Sequence, residues 1–351
     1  MQKNNFDFLR VFAAILVVLS HAYQISYGNE IWNATSSALR SEPLLWLSHG
    51  QLSIGNLGVL VFFVISGYLI TMSHQRSPTV WIYIKNRCLR IFPGLAVLVL
   101  LTVFVMGPIV STYPAAEYYA KIGTWNYLSN IALYFSAESL PGVFQFNPLP
   151  GVVNGSLWTL KYEFTCYIVV CLLGYFGKLG KKSTLAIFLI CLAEVLLAKK
   201  TGHPLIYFLM FFASGMLLYL YRDSIVLRGR YAACASVLLL LAAVYGGTIS
   251  QKAFVVAFAL FGGYVILYLA FAPWLKLHAF SRYGDFSYGL YIYAFPIQQM
   301  LTYLLPDHQE WYWNFGLSLP LIFICAYFSW HFVERRALKM KGSYQKVSKP
   351  A

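Results

Sequence analysis

Apolar stretches of about 20 residues recur along the whole chain and alternate with short polar segments, and about 20 apolar residues in a helix cross the roughly 30 Å hydrocarbon core of a bilayer. Each polar segment marks a return to the membrane surface. The pattern therefore predicts an all-α fold, a polytopic membrane helix bundle with about ten transmembrane helices. We place the spans near residues 7–27, 52–73, 91–110, 156–176, 183–198, 204–221, 231–246, 253–272, 285–305 and 313–333.

The composition excludes a separate water-soluble domain. Apolar residues make up 59% of the chain and charged residues 11%, whereas a soluble domain carries about 25% charged residues. We therefore expect residues 1–340 to form a single membrane domain, followed by a short basic cytoplasmic tail over 341–351.

The basic excess follows the predicted membrane topology. A net charge of +14 in a soluble protein would suggest a nucleic-acid partner. With the N-terminus inside, however, the cytoplasmic segments together with Arg10 at the inner end of the first span hold 20 of the 26 Lys and Arg residues, and the opposite segments hold 5, as the positive-inside rule requires. We therefore expect both termini in the cytoplasm and no nucleic-acid partner.

Two other features narrow the chemistry. The six cysteines form no CxxC pair, so neither a disulfide framework nor a metal site is indicated. The two longest connections, 28–51 and 111–155, lie on the predicted non-cytoplasmic side, and long connections in compact folds are often functional. We expect that side to contact a bulky substrate.

The first span carries two ionisable residues, Arg10 and His21. They are 11 residues apart, so they lie within about 20° of one helix face and about 16 Å apart along the axis. Ionisable side chains inside a membrane are costly, which makes them candidates for function. A snorkelling Arg and a structurally hydrogen-bonded His explain the same pattern.

Two later segments also carry charge. Arg87 and Arg90 share a face at the cytoplasmic start of the third span, an arrangement that suits bidentate phosphate binding as well as simple anchoring at the membrane surface. Glu163 lies in the fourth span, where Lys161 is on a different helix face. Its partner is therefore expected on another helix or in a ligand, and a buried structural ion pair is equally consistent.

Taken in order, these segments resemble the acyltransferase-3 family of membrane acyltransferases, and the resemblance covers most of the chain. Five motifs carry it: Phe6-Asp7-Phe8-Leu9-Arg10 with His21, the stretch Gly58–Ile70, Arg87 and Arg90 before Phe92-Pro93, Ser156–Leu160 with Glu163, and Ser287-Tyr288 with Tyr291. Some relatives have a His where this chain has Ala294, and that difference places more weight on His21.

The resemblance implies transfer of an acyl group, usually acetyl, from cytoplasmic acetyl-CoA to a hydroxyl of a saccharide. The acceptor would be a cell-surface or lipid-linked saccharide, of the O-antigen (lipopolysaccharide) or exopolysaccharide type, at the bacterial inner membrane. The expected partners are thus an acyl-CoA, a saccharide and the lipid bilayer, with no metal. Some relatives carry a fused hydrolase-like domain, which we do not expect here.

The motif residues receive roles from this chemistry. His21 is expected to act as general base or to carry the acetyl group covalently, and Arg10 to position the donor arm or stabilise negative charge. Arg87 and Arg90 are expected to bind the phosphates of coenzyme A, and Glu163 to orient His21 or bind the sugar. Substrate contacts are expected from Trp158, Ser287, Tyr288 and Tyr291.

Two other functions fit part of the pattern. A proton-coupled secondary transporter would use Arg10, His21 and Glu163 as a relay, and it leaves the Arg87 and Arg90 pair unexplained. A structural partner in a polysaccharide-export assembly would tolerate conservative changes at His21.

Overall fold

The computed structural model describes residues 4–28, 30, 42–135, 137–199, 202–272, 274–282 and 284–341, and all regular structure in these residues is helical. The predicted connection 28–51 lies partly outside them, as do residues 342–351 of the predicted tail. The long helices are α1 (Phe6–Tyr27), α2 (Ile54–Arg76), α3 (Val80–Val110), α4 (Leu157–Tyr175), α5 (Lys181–Leu197), α6 (Pro204–Leu220), α7 (Gly229–Ile249), α8 (Ala253–Phe271), α9 (Ser287–Leu304) and α10 (Trp311–Leu338).

Seven of these helices, namely α1, α2, α3, α4, α7, α8 and α10, are long and apolar enough to cross a membrane. Helices α5 and α6 have 17 residues each. Helix α9 has 18 residues, but its tyrosines and glutamines make it less apolar. The all-helical membrane fold is confirmed, and the count of about ten spans stays a prediction.

Glycines bring the central helices into close contact. Helix α1 packs against α2, α9 and α10, and α2 packs in turn against α6. A Cβ atom on Gly67 of α2 would lie 2.0 Å from the carbonyl oxygen of Phe212, and one on Gly215 of α6 would lie 2.0 Å from that of Val64. Small residues allow such backbone contact between helices in a membrane, where packing replaces the hydrophobic effect as the driving force.

The second long connection folds back onto α9. Residues Ala115–Ala120 and Ile122–Asn126 form short helices, and the chain then returns to the bundle. Asn147 donates to the side-chain oxygen of Gln299 at 2.7 Å, and Asn154 donates to the carbonyl of Ile292 at 3.0 Å. These hydrogen bonds hold the connection against α9.

Candidate active site

Four charged side chains form an ionic cluster near the beginnings of α1 and α9, the end of α10 and the third turn of α3. Arg10 lies 2.9 Å from Asp285, and Arg90 lies 2.6 Å from the same carboxylate oxygen. Arg90 also contacts Glu334 at 3.2 Å. We call this side of the molecule the basic end.

Local structure holds both acids in place. Asp285 lies two residues before the start of α9 and accepts a hydrogen bond from Ser287 at 2.7 Å. Glu334, only 1% exposed, ends a π-helical segment of α10 and accepts from Ser329 at 2.9 Å. π-Helical segments inside α-helices are frequent at functional sites.

A cavity of about 350 Å³ opens beside this cluster, and we call it the basic cavity. Burial, together with the neighbouring guanidiniums of Arg87 and Arg90, lowers the pKa of Lys341 to about 8. The cavity therefore presents positive charge to any ligand that enters. Its charged lining consists of Arg10, Arg87, Arg90, Lys341, Asp7 and Asp285.

A second, narrow cavity, the inner cavity, lies deeper between α1, α2, α4 and α9. Arg10 lines both cavities. Glu163 lines the inner cavity and accepts hydrogen bonds from Ser66 at 2.9 Å and from Tyr167 at 2.6 Å. Ser66 itself lines the basic cavity. The two cavities thus meet at Arg10 and at the contact between Ser66 and Glu163.

The predicted α9 residues line the inner cavity, as Ser287, Tyr288 and Tyr291 all do. The hydroxyl of Tyr288 donates to the carbonyl of Ile91 at 2.7 Å, and the guanidinium of Arg90 lies 5.5 Å from the centre of the Tyr288 ring. The Tyr288 hydroxyl therefore joins α9 to α3 beside the inner cavity.

Tyr291 and Trp158 occupy different positions. The hydroxyl of Tyr291 lies 2.9 Å from the carbonyl of Ser156, to which it donates, and 2.5 Å from the hydroxyl of Thr159. The Trp158 ring, in contrast, packs 5.7 Å from Phe208 and does not line either cavity.

His21 lies apart from these two cavities. It is 9% exposed, its ring meets Phe295 edge to face at 5.0 Å, and its Nδ1 has no hydrogen-bond partner among the described residues. Phe295 follows Tyr291 by four residues, or about one helical turn. His21 therefore lies about one turn of α9 beyond the inner cavity, toward the connection that contains Leu149.

The structure brings together some of the predicted residues and separates others. Arg10 meets Arg87 and Arg90 at the basic cavity, and Glu163 at the inner cavity. Glu163 accepts hydrogen bonds from Ser66 and Tyr167, and within the part of the chain that the structure describes no hydrogen bond joins this acid to His21.

Asp285 and Glu334 are absent from the residues singled out in the sequence. A signal for them does exist, because only four of the 12 acidic residues (Asp7, Asp223, Asp285 and Glu334) fall in the predicted cytoplasmic segments or the span ends beside them, among most of the basic residues. An acid that remains at such a basic end is expected to have an ion-pair partner.

Comparison with known proteins shows the family. Residues 3–331 match the family described as an acyltransferase domain. An O-acetyl transferase of Shigella phage Sf6 is 31% identical over 352 residues, which cover 96% of this chain and 97% of the relative. Nodulation protein 10 of Rhizobium leguminosarum bv. viciae is 28% identical over 372 residues, 97% of this chain and 95% of that relative. No solved structure matches significantly. The chain therefore belongs to the acyltransferase-3 family, as its motifs predicted, and is a membrane O-acyltransferase.

Proposed function

We propose that this enzyme transfers acetyl from cytoplasmic acetyl-CoA to a saccharide hydroxyl on the far side of the bacterial inner membrane, with the basic end in the cytoplasm. The observation that carries the proposal is the meeting of the basic cavity and the inner cavity at Arg10. It gives an anionic donor a route that starts in a cationic cavity at one membrane surface and continues toward the middle of the bundle. The phage relative is an O-acetyl transferase, which supports acetyl as the transferred group.

The basic cavity suits the phosphates of the donor. Four cationic and two acidic side chains line it, so a polyanion gains net attraction there. Arginine binds phosphate with two parallel hydrogen bonds, and Arg87 is placed for this contact. Arg90 is held by Asp285 and Glu334. In this proposal it therefore adds positive charge at a fixed position and does not move to bind the phosphates directly.

The donor arm would extend past Arg10 into the inner cavity. In the reaction, the acceptor oxygen attacks the thioester carbonyl carbon, a C–O bond forms and the C–S bond breaks. His21 takes the hydroxyl proton and returns it to the departing coenzyme A sulfur, so protons balance over the cycle. The acetyl group must therefore reach beyond Tyr291 to the level of Phe295.

A covalent variant of the same reaction uses His21 as nucleophile. The acetyl group would first move from sulfur to an imidazole nitrogen and then to the acceptor hydroxyl. Trapping of label on the protein from acetyl-CoA alone, lost in His21→Ala, supports this route. Transfer in a single turnover only when both substrates are present supports direct transfer.

The acceptor is expected to approach from the side of the 111–155 connection. Asn147, Leu149 and Asn154 lie in the part of that connection that packs against α9, near the His21 end of the site. A saccharide acceptor is supported by the family resemblance and by the position of this long connection.

Transfer can be tested in membranes that contain the full chain, with labelled acetyl-CoA and a saccharide extract. We expect label in an alkali-labile ester, lost in His21→Ala and in the double variant Arg87→Ala/Arg90→Ala. His308→Ala and Arg228→Ala/Arg230→Ala are matched controls, because these side chains are exposed. If the unaltered chain transfers no acetyl group and instead shows proton-coupled solute uptake that requires His21, the protein is a transporter and this proposal is wrong.

A further inference from the structure

A third cavity, of about 710 Å³, opens at the basic end between α1, α2, α6 and α8. Its volume falls in the range of about 300 to 1,000 Å³ that is usual for small-molecule sites. We call it the aromatic cavity, because four of its lining residues are Phe6, Tyr68, Tyr219 and Phe271. The site described above does not use it.

One cation in the aromatic cavity lacks a partner. Arg76, at the end of α2, has no ion pair or hydrogen bond to the described residues. Arg222 is engaged, since it contacts Asp223 at 3.5 Å, donates to the carbonyl of Tyr219 at 2.9 Å and stacks 4.3 Å from the Tyr219 ring centre. Arg76 therefore remains available to an anion.

The walls suit a flat heterocycle with hydrogen-bonding edges. The rings of Phe6 and Tyr68 lie 5.1 Å apart, and that of Phe271 meets Phe6 edge to face at 5.6 Å. Tyr219 donates to the side-chain oxygen of Gln75 at 3.0 Å. The Gln75 amide nitrogen thus keeps its N–H groups for an acceptor, and aromatic faces bind bases by stacking.

The aromatic cavity adjoins the basic cavity. Leu69 lines both, and Phe6 of the one is followed in sequence by Asp7 of the other. A ligand that spans the ridge formed by Leu69 would place one end among the aromatic rings and the other beside Arg10. Such a ligand must be long, anionic and aromatic at one end.

We propose that the aromatic cavity binds the adenosine 3′-phosphate end of the acyl-CoA donor, with the base against the aromatic walls and the 3′-phosphate on Arg76. The diphosphate then lies toward Arg87 and Lys341, and the pantetheine arm passes Arg10. This assignment rests on the proposed function, because it takes acyl-CoA as the donor.

The test is equilibrium binding to the full chain in nanodiscs of phosphatidylcholine. Three probes divide the donor: CoA, dephospho-CoA without the 3′-phosphate, and 4′-phosphopantetheine without the nucleoside. We expect Arg76→Gln to weaken CoA binding on the order of tenfold, as loss of a charge-assisted hydrogen bond predicts. Binding of dephospho-CoA and of 4′-phosphopantetheine should not change, and the exposed control Arg230→Gln should weaken none of the three selectively.

A second variant tests the base. Met72→Trp places a large side chain in the aromatic cavity, whose wall includes Met72. It should weaken CoA and dephospho-CoA together and leave 4′-phosphopantetheine unaffected, which also shows that the variant is folded. Equal loss of all three probes, or of none, overturns the assignment of the base.

The outcomes separate this inference from the proposed function. If the unaltered chain binds none of the probes and transfers no acetyl, the donor itself is wrong. If CoA binds but Arg76→Gln leaves the ratio of CoA to dephospho-CoA affinity unchanged, the nucleotide subsite is wrong and the donor stands. If that ratio is unchanged while Arg76→Gln abolishes capture of phosphatidylglycerol, the cavity is a lipid headgroup site and the nucleotide assignment falls.

Discussion

Replacement of Asp285 by Asn tests whether the ionic cluster orients Arg10. Asp285 is the acid that joins Arg10 to Arg90, with contacts of 2.9 and 2.6 Å. The amide keeps the shape of the side chain and removes its charge. We expect a less stable protein in which turnover falls and the apparent affinity for acetyl-CoA does not.

The magnitudes follow from burial and contact. Breaking a buried ion pair from one side costs about 3–5 kcal/mol, and we take the lower end because the Asp285 and Arg10 side chains are 22% and 18% exposed. Loss of the charge-assisted bond that holds Arg10, worth about 1.5–3 kcal/mol, corresponds to a fall in kcat of roughly tenfold or more. KM for the donor should stay constant or decrease, since Arg87 and Lys341 remain and one negative charge is gone.

The assay measures coenzyme A release at varied acetyl-CoA in reconstituted vesicles, beside unfolding in detergent. Glu117→Gln is the matched control, because it removes the acid of an exposed pair with Lys121, where such pairs contribute about 0–1 kcal/mol. The reasoning fails if Asp285→Asn raises KM with kcat unchanged, or if its stability equals that of the control.

Three further variants test packing and charge. In thermal unfolding, Gly67→Ala should destabilise the protein by about 1–3 kcal/mol, because the new Cβ would lie 2.0 Å from a backbone oxygen of α6. Its control Gly316→Ala should be neutral or slightly stabilising, because a Cβ there has nothing within 4 Å. Lys341 is charged below its pKa of about 8 and loses that charge as the pH rises through it, so acetyl-CoA binding should weaken between pH 7 and 9. Lys341→Gln should flatten this dependence, and an unchanged pH profile would remove Lys341 from the donor site.

The sequence predicted which helices carry charge better than how deep each charge lies. Arg10 and His21 share a helix face by periodicity, and the structure places Arg10 at both cavities but His21 beyond them, against Phe295. Helical spacing fixes the direction in which a side chain points and its position along the helix axis. The depth of a cavity, however, depends on the side chains of other helices. Here Tyr291 of α9 lines the inner cavity, and His21 contacts Phe295, about one helical turn further along α9.

Partners separated widely in sequence were the least accessible to prediction. Asp285 is 275 residues from Arg10, and Glu334 is 244 residues from Arg90. Both acids lie at helix ends, where a charged residue is also typical of the membrane surface. Only the packing of α1, α3, α9 and α10 makes them partners.

Helix α9 shows why hydropathy alone does not settle the number of spans. Its first ten residues are all buried, and both of its glutamines donate hydrogen bonds within the bundle. Gln298 donates to the carbonyl of Val18 at 2.9 Å, and Gln299 donates to that of Val152 at 2.7 Å. A helix surrounded by protein does not need the apolar surface that contact with lipid requires.

Within the ionic cluster, Asp285 is expected to affect both the stability of the protein and its turnover. Burying Arg10 is unfavourable unless a counter-charge accompanies it, and Asp285 supplies that charge while aiming Arg10 at the two cavities. Stability and turnover should therefore fall together in Asp285 variants. Arg87 lines the basic cavity, so its loss should weaken donor binding, and the two arginine positions can be distinguished by experiment.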